Sequence, residues 1–145
     1  MIKKAILACA GGVFATAVLA HEGVQNQAVL ARMQSMSQIA EETKLLGQMA
    51  KGQVSFDASA ARMAVARIAE QADETARLFA RPEMDPKSEA LPVIWDRFDH
   101  FVSIADELQT AASEAAGYID TEVELRTALA RIGGTCRSCH ADYRE

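Results

Sequence analysis

Aromatic side chains are scarce in this 145-residue chain, at 6%, with one tryptophan, two tyrosines and five phenylalanines. A long helical core built mostly from methyl groups would be thinly packed, and a large flat apolar ligand would supply the missing volume at about 25 cal/mol per Å² of buried surface. Proline is equally sparse: Pro82, Pro86 and Pro92 all fall in one short stretch, so the remainder is free of its helix-breaking effect. The period-2 alternation that strands require is largely missing. Basic residues number 15 against 20 acidic ones, an imbalance that argues against nucleic acid or an anionic membrane as partner. The longest uncharged apolar run, Ala5 to Leu19, falls short of the about 20 residues needed to cross a bilayer.

That run follows Lys3 and Lys4 and ends in Val18-Leu19-Ala20, the pattern of a secretory signal cleaved after about Ala20. The expected division is therefore a signal peptide over residues 1–20 and one domain over residues 21–145, exported to the periplasm, with no membrane span after cleavage. Loss of Lys3 and Lys4 takes the formal net charge from −5 to −7. Cys9 leaves with the signal, so only Cys136 and Cys139 remain.

These two cysteines stand three apart and His140 follows directly. Cys136-Arg137-Ser138-Cys139-His140 has the C-x-x-C-H form of covalent haem attachment. Two thiols one helical turn apart can each add to one haem vinyl group, and the imidazole then projects towards the iron from the same side. Covalent tethering makes binding intramolecular, so the haem is not lost to a dilute exterior. A thioredoxin-like pair would need a βαβ context, a structural zinc site a fourth ligand, and a plain disulfide would leave His140 unexplained. Gly133 and Gly134, one turn earlier, each cost about 1 kcal/mol in a helix interior, and close approach of a macrocycle to the backbone accounts for them.

Helical periodicity divides the domain into four. The first helix is expected over about Val24 to Ala50, with Val29, Met33, Met36, Ala40, Thr43, Gly47 and Ala50 inward and Gly52 near its C-cap. Asp57 caps a second, whose stripe is Ala61, Ala64, Ile68, Ala72, Thr75 and Phe79. Arg81 to Pro92 is a linker. The third runs from Pro92 to about Ala116, with Ile94, Trp95, Phe98, Val102, Ala105, Leu108 and Ala112 inward. Thr121-Glu122-Val123-Glu124 has the form of a capping box and opens a fourth, whose stripe is Leu125, Leu129, Ile132, Cys136, Cys139 with His140, and Tyr143. The expected fold is all-α: an antiparallel up-down-up-down four-helix bundle with covalently bound haem.

With its attachment motif near the C-terminus of such a bundle, the chain resembles the class II c-type cytochromes, the cytochrome c′ family. The likeness runs through Lys51 to Asp57, Pro92-Val93-Ile94-Trp95 and Gly133 to Arg144. It implies one covalently attached haem c, with His140 as the proximal axial iron ligand. Counting back from Gly52, it places the family's distal residue, and with it the expected distal axial ligand, on Met36, and a propionate-facing basic residue on Arg32. Arg144 matches a basic residue near the proximal imidazole, and Met33 is taken as a further haem-site residue. Met49 and Met63 are core or boundary residues, and His100 a solvated or hydrogen-bonded surface residue.

The resemblance implies either of two functions. With His140 and Met36 both on the iron, the protein is a mono-haem electron carrier serving redox partner proteins, and not an enzyme. With a five-coordinate iron, Met36 is a steric gate and the ligand is nitric oxide or another diatomic gas. A homodimer, formed in similar proteins through the first two helices, is compatible with both.

Overall fold

A computed structural model describes residues 23–145; the signal reading for residues 1–20 lies outside the described residues. These residues form six helical segments and no named strand. Together they make an antiparallel four-helix bundle. Among them, no helix is long and apolar enough to cross a membrane.

Helix α1 spans Gln27–Ala50. It starts later than Val24 because the Asn26 side chain accepts from the Ala28 and Val29 amides at 2.9 and 3.1 Å, capping the first turn. It stops where Gly52 takes a φ of +68°. Gln53 N then donates to Gln48 O at 2.9 Å and Gly52 N to Met49 O at 3.0 Å, the paired bonds of a Schellman end. The inward face differs from expectation. Val29, Arg32, Ser35, Ile39, Leu46 and Met49 are buried, whereas Ala40 is exposed and Met33, Met36, Thr43, Gly47 and Ala50 are only half-buried. The stripe is displaced by about one residue, roughly 100° of rotation. Packing selects the large aliphatics Ile39 and Leu46 over Ala40 and Gly47, and a buried arginine leaves no mark in a hydrophobicity pattern.

Helix α2, Ala58–Asp73, begins where Asp57 accepts from Ala60 N at 2.8 Å. It continues after Glu74 as the short α3, Thr75–Leu78. Its expected stripe holds throughout: Ala61, Ala64, Ile68, Ala72, Thr75 and Phe79 are all buried. The third helix is broken in two, α4 (Val93–Asp96) and α5 (Phe98–Ala116), at Arg97, whose φ and ψ are −127° and 39°. The break serves two tertiary contacts. Trp95 Nε1 donates to Phe79 O at 2.8 Å, and the Arg97 guanidinium lies over the Tyr143 ring. Of the expected stripe, Ile94, Ala105 and Ala112 are buried, whereas Trp95, Phe98, Val102 and Leu108 are half-buried; Phe101, Ile104, Ala111 and Ala115 complete the buried face.

Helix α6, Glu122–Tyr143, passes through Gly133 and Gly134 without interruption. Thr121 Oγ1 accepts from Glu124 N at 3.3 Å, while Glu124 Oε2 accepts from Asp120 N and Thr121 Oγ1, each at 2.9 Å. Those bonds hold the Glu124 carboxyl below the usual carboxylate range.

The core is in two parts. The larger, built on Ile39, Leu46, Ile68, Leu125, Ile132 and many alanines, fills the end where α1 turns into α2 and α5 into α6. The smaller gathers Phe79, Ile94, Phe101, Ile104 and Tyr143 at the other end. Phe101 meets Phe79 at 4.9 Å between centroids and Tyr143 edge-on at 5.3 Å. Residues 79–92 close this second end. Asp85, 7% exposed, accepts from Gln25 N at 2.8 Å, Asn26 N at 3.1 Å and Lys87 N at 2.9 Å. The Lys87, Gln25 and Asn26 amides hold its carboxyl below the ordinary range.

Candidate functional site

Cys136, Cys139 and His140 lie in the last turns of α6, where the interval of three keeps both thiols on one face. They fall at the interruption between the two cores: Cys136 packs against the larger cluster and Cys139 against the smaller. Both cysteines are free and half-buried. Burial raises both thiol pKa values, that of Cys139 to about 11 with the Cys136 and Asp142 charges adding to it. Neutral thiols in apolar surroundings are unlike the low-pKa thiolate of a dithiol redox enzyme. His140 is exposed. Its pKa is lowered, first by partial desolvation of the ring and then by the Arg144 charge. The neutral imidazole is the form that ligates a metal.

Opposite this face stands α1. Arg126 Nη1 on α6 donates to Ala50 O on α1 at 3.2 Å, fixing the register of two antiparallel helices. From Ala50 back to Met36, and from Arg126 on to His140, the step along each helix is the same. At about 1.5 Å per residue, Met36 and His140 therefore lie equally far along their helices from that bond. The Met36 side chain is half-buried and packs against the larger cluster. The same count puts Thr43 and Gly133 equally far from it. The Thr43 Oγ1 atom is buried without a hydrogen-bond partner, and a Cβ at Gly133 would meet first only the flexible Arg137 side chain, at 3.3 Å. An interrupted core, two neutral thiols, a neutral imidazole and a backbone face without side chains fit a flat apolar macrocycle carrying a metal.

Arg32 is 3% exposed. Its Nε donates to Leu78 O at 2.9 Å, and Nη1 and Nη2 donate to Glu83 O and Arg81 O at 2.6 Å each. The guanidinium lies over Phe79 at 4.7 Å and Trp95 at 5.4 Å. Three of the five N–H groups of a guanidinium are thus committed to the last residue of α3 and the segment after it. Burial lowers its pKa and Glu83 opposes that shift. Arg144 Nε donates to Glu89 Oε2 at 2.6 Å. Met33 is half-buried, Met49 is core, and Met63 is 53% exposed, on the surface rather than in the core or at its boundary. His100 Nδ1 is hydrogen-bonded to Tyr143 Oη at 2.6 Å.

Sequence reasoning missed Asp85, Glu89 and Arg97. Asp85 had a local signal, an aspartate before proline that accepts from the amide two residues on. Glu89 had none, because its partner is 55 residues away.

A helical bundle with a C-x-x-C-H turn at the break in its core defines a class, the class II c-type cytochromes. Residues 27–144 match the family described as Cytochrome C'. The chain is 31% identical over 121 residues to the "Cytochrome c'" of Rhodopseudomonas palustris, covering 83% of each. It is 33% identical over 115 residues to the "Cytochrome c-556" of Agrobacterium tumefaciens, covering 79% of this chain and 91% of the relative. The solved structure of cytochrome c' from Rhodopseudomonas palustris superposes with a TM-score of 0.78 at 31% identity, covering 83% of this chain and 98% of the other. The chain belongs to the cytochrome c′ family, and its cofactor is one covalently attached haem c.

Proposed function

We propose that this protein is an exported mono-haem electron carrier, held to its haem by thioether bonds from Cys136 and Cys139 and to the iron by His140 and Met36. The observation that supports this reading is the antiparallel pairing of α1 and α6, in which Met36 and His140 lie equally far along their helices from the Arg126–Ala50 hydrogen bond. When bound, haem c supplies a one-electron iron couple, and methionine–histidine ligation raises its reduction potential. The protein's own groups do the rest. His140 stays neutral beside Arg144, the two thiols provide attachment, and the aromatic cluster keeps water from one side of the site. Arg32 is the candidate partner of a propionate through its uncommitted N–H groups, with Met33 beside it, and Arg144 is the charged neighbour of the proximal imidazole. No substrate turnover belongs to this function. Residues 1–20 direct export to the periplasm, residues 21–145 are the cytochrome domain, and the partners are redox proteins, with α1 and α2 available for a homodimer.

The ferric optical spectrum tests the ligation. Wild-type protein at neutral pH is expected to be low-spin with a weak near-red sulfur-to-iron band, and Met36→Ala to be high-spin. A high-spin wild type, or an unchanged Met36→Ala spectrum, overturns Met36 as ligand. One observation favours a second reading: Met36 packs as a core side chain against the larger cluster. In that case it covers an open sixth position, and nitric oxide binds to a five-coordinate iron; a high-spin wild type that takes up the gas is its signature.

A further inference from the structure

The end of α3 and the segment after it are bonded to both helices that carry the proposed iron ligands. Its hold on α1 comes at Arg32, one turn before Met36, which donates to the carbonyls of Leu78, Arg81 and Glu83. Asn26 Nδ2 adds a bond to Glu83 Oε2 at 2.9 Å, and the Gln25 and Asn26 amides donate to Asp85. Its hold on α6 comes one turn after His140. Arg144 pairs with Glu89, Leu91 N donates to Tyr143 O at 2.9 Å, and Glu145 N donates to Glu89 O at 2.9 Å. Ala90 and Arg144 form an antiparallel bridge. The direct hydrogen bond from Arg126 to Ala50 O lies at the opposite end of the bundle. Near the site, this segment is thus hydrogen-bonded to both α1 and α6, beside the direct packing of the two helices in the larger core.

We infer that residues 78–91 are a strap that sets the distance between Met36 and His140, with Asp85 and Glu89 as its positioning residues. The strap thereby decides whether the sixth iron position is closed by the protein or open to an external small ligand. This rests on the Met36 ligation proposed above. An axial bond requires its donor to be held within about 0.5 Å, and a side chain on a helix is held only as firmly as the helix. Asp85 bonds the α1 end and Glu89 the α6 end, so loosening either lets the two helices part.

The test uses the holocytochrome with Asp85→Asn, Glu89→Gln and the pair together. Glu114→Gln is the control, removing an equal charge from the Arg131–Glu114 ion pair between α5 and α6 away from the strap. The sulfur-to-iron band is expected to weaken, and carbon monoxide association with the ferrous protein to quicken about tenfold in the double variant. Each single variant moves the same way by less, and Glu114→Gln leaves both readouts unchanged. Asp85→Glu separates geometry from charge: it keeps the carboxylate and displaces the bonds, so the rate rises if position matters. A wild type without the band overturns the ligation and the strap with it. A wild-type band that persists unchanged in the strap variants, with association rates within about twofold, overturns the strap alone.

Discussion

The two ends of the bundle are made of different materials. At the turn end, the bonds that close the helices are local: Gly52 and Gln53 close α1 onto its own last turn, Asp57 caps α2, and Thr121 with Glu124 caps α6, while the longer links, Arg126 to Ala50 O and Arg62 to Asp120, come from exposed arginines. The core behind them is aliphatic and rich in alanine. At the strap end the bonds span the chain: Arg32 reaches Leu78, 46 residues away, and Asp85 reaches Gln25, 60 residues away. Aromatic rings and a buried guanidinium replace the alanines there. The difference teaches where the cofactor enters the energetics. One end closes on itself through short loops, while the other must hold two distant helices around a group that the chain does not encode.

Removing that group should separate the two ends most sharply. Cys136→Ala with Cys139→Ala should leave all haem extractable by acid-acetone. Amide exchange should then quicken far more at the strap end than at the turn end; equal loss at both ends would abolish the distinction. Next in size, Arg32→Met leaves three carbonyls without their donor and should cost about 3 kcal/mol in urea unfolding of the holoprotein. A cost below about 1 kcal/mol would show that the strap holds without its buried cation. A smaller effect is expected of Gly52→Ala, about 1 kcal/mol, because alanine adopts a φ of +68° with strain; thermal unfolding measures it. The least is expected of Asp120→Ala, which removes the exposed Arg62–Asp120 ion pair, at about 0.5 kcal/mol or less and vanishing in high salt.

Legibility in sequence follows the same division. The stripe of α2 was readable from Ala61 to Phe79 because its spacing is strictly helical and its polar residues are outside. The caps at Asp57 and Thr121 were readable because the hydrogen bonds lie within three residues. The face of α1 was misread by about one position, since Arg32 is buried for its bonds to backbone and not for any apolar character. The division of α4 from α5 at Arg97 was invisible because its cause is Tyr143, far along the chain. In the candidate site, the attachment turn is legible as a motif; Asp85 before Pro86 signals a turn and no more, and Glu89 carries no local pattern because its partner is Arg144.

By sequence alone, the chain determined four helical stretches, their caps and the C-x-x-C-H turn, because each depends on atoms a few residues apart along one backbone. Tertiary structure alone decided which face of α1 is buried, where Arg32 directs its N–H groups, and how α1 and α6 are tied together beside the site. The physical reason is that the partners there are backbone carbonyls and distant carboxylates: every residue has a carbonyl, so only the fold says which one a guanidinium will find.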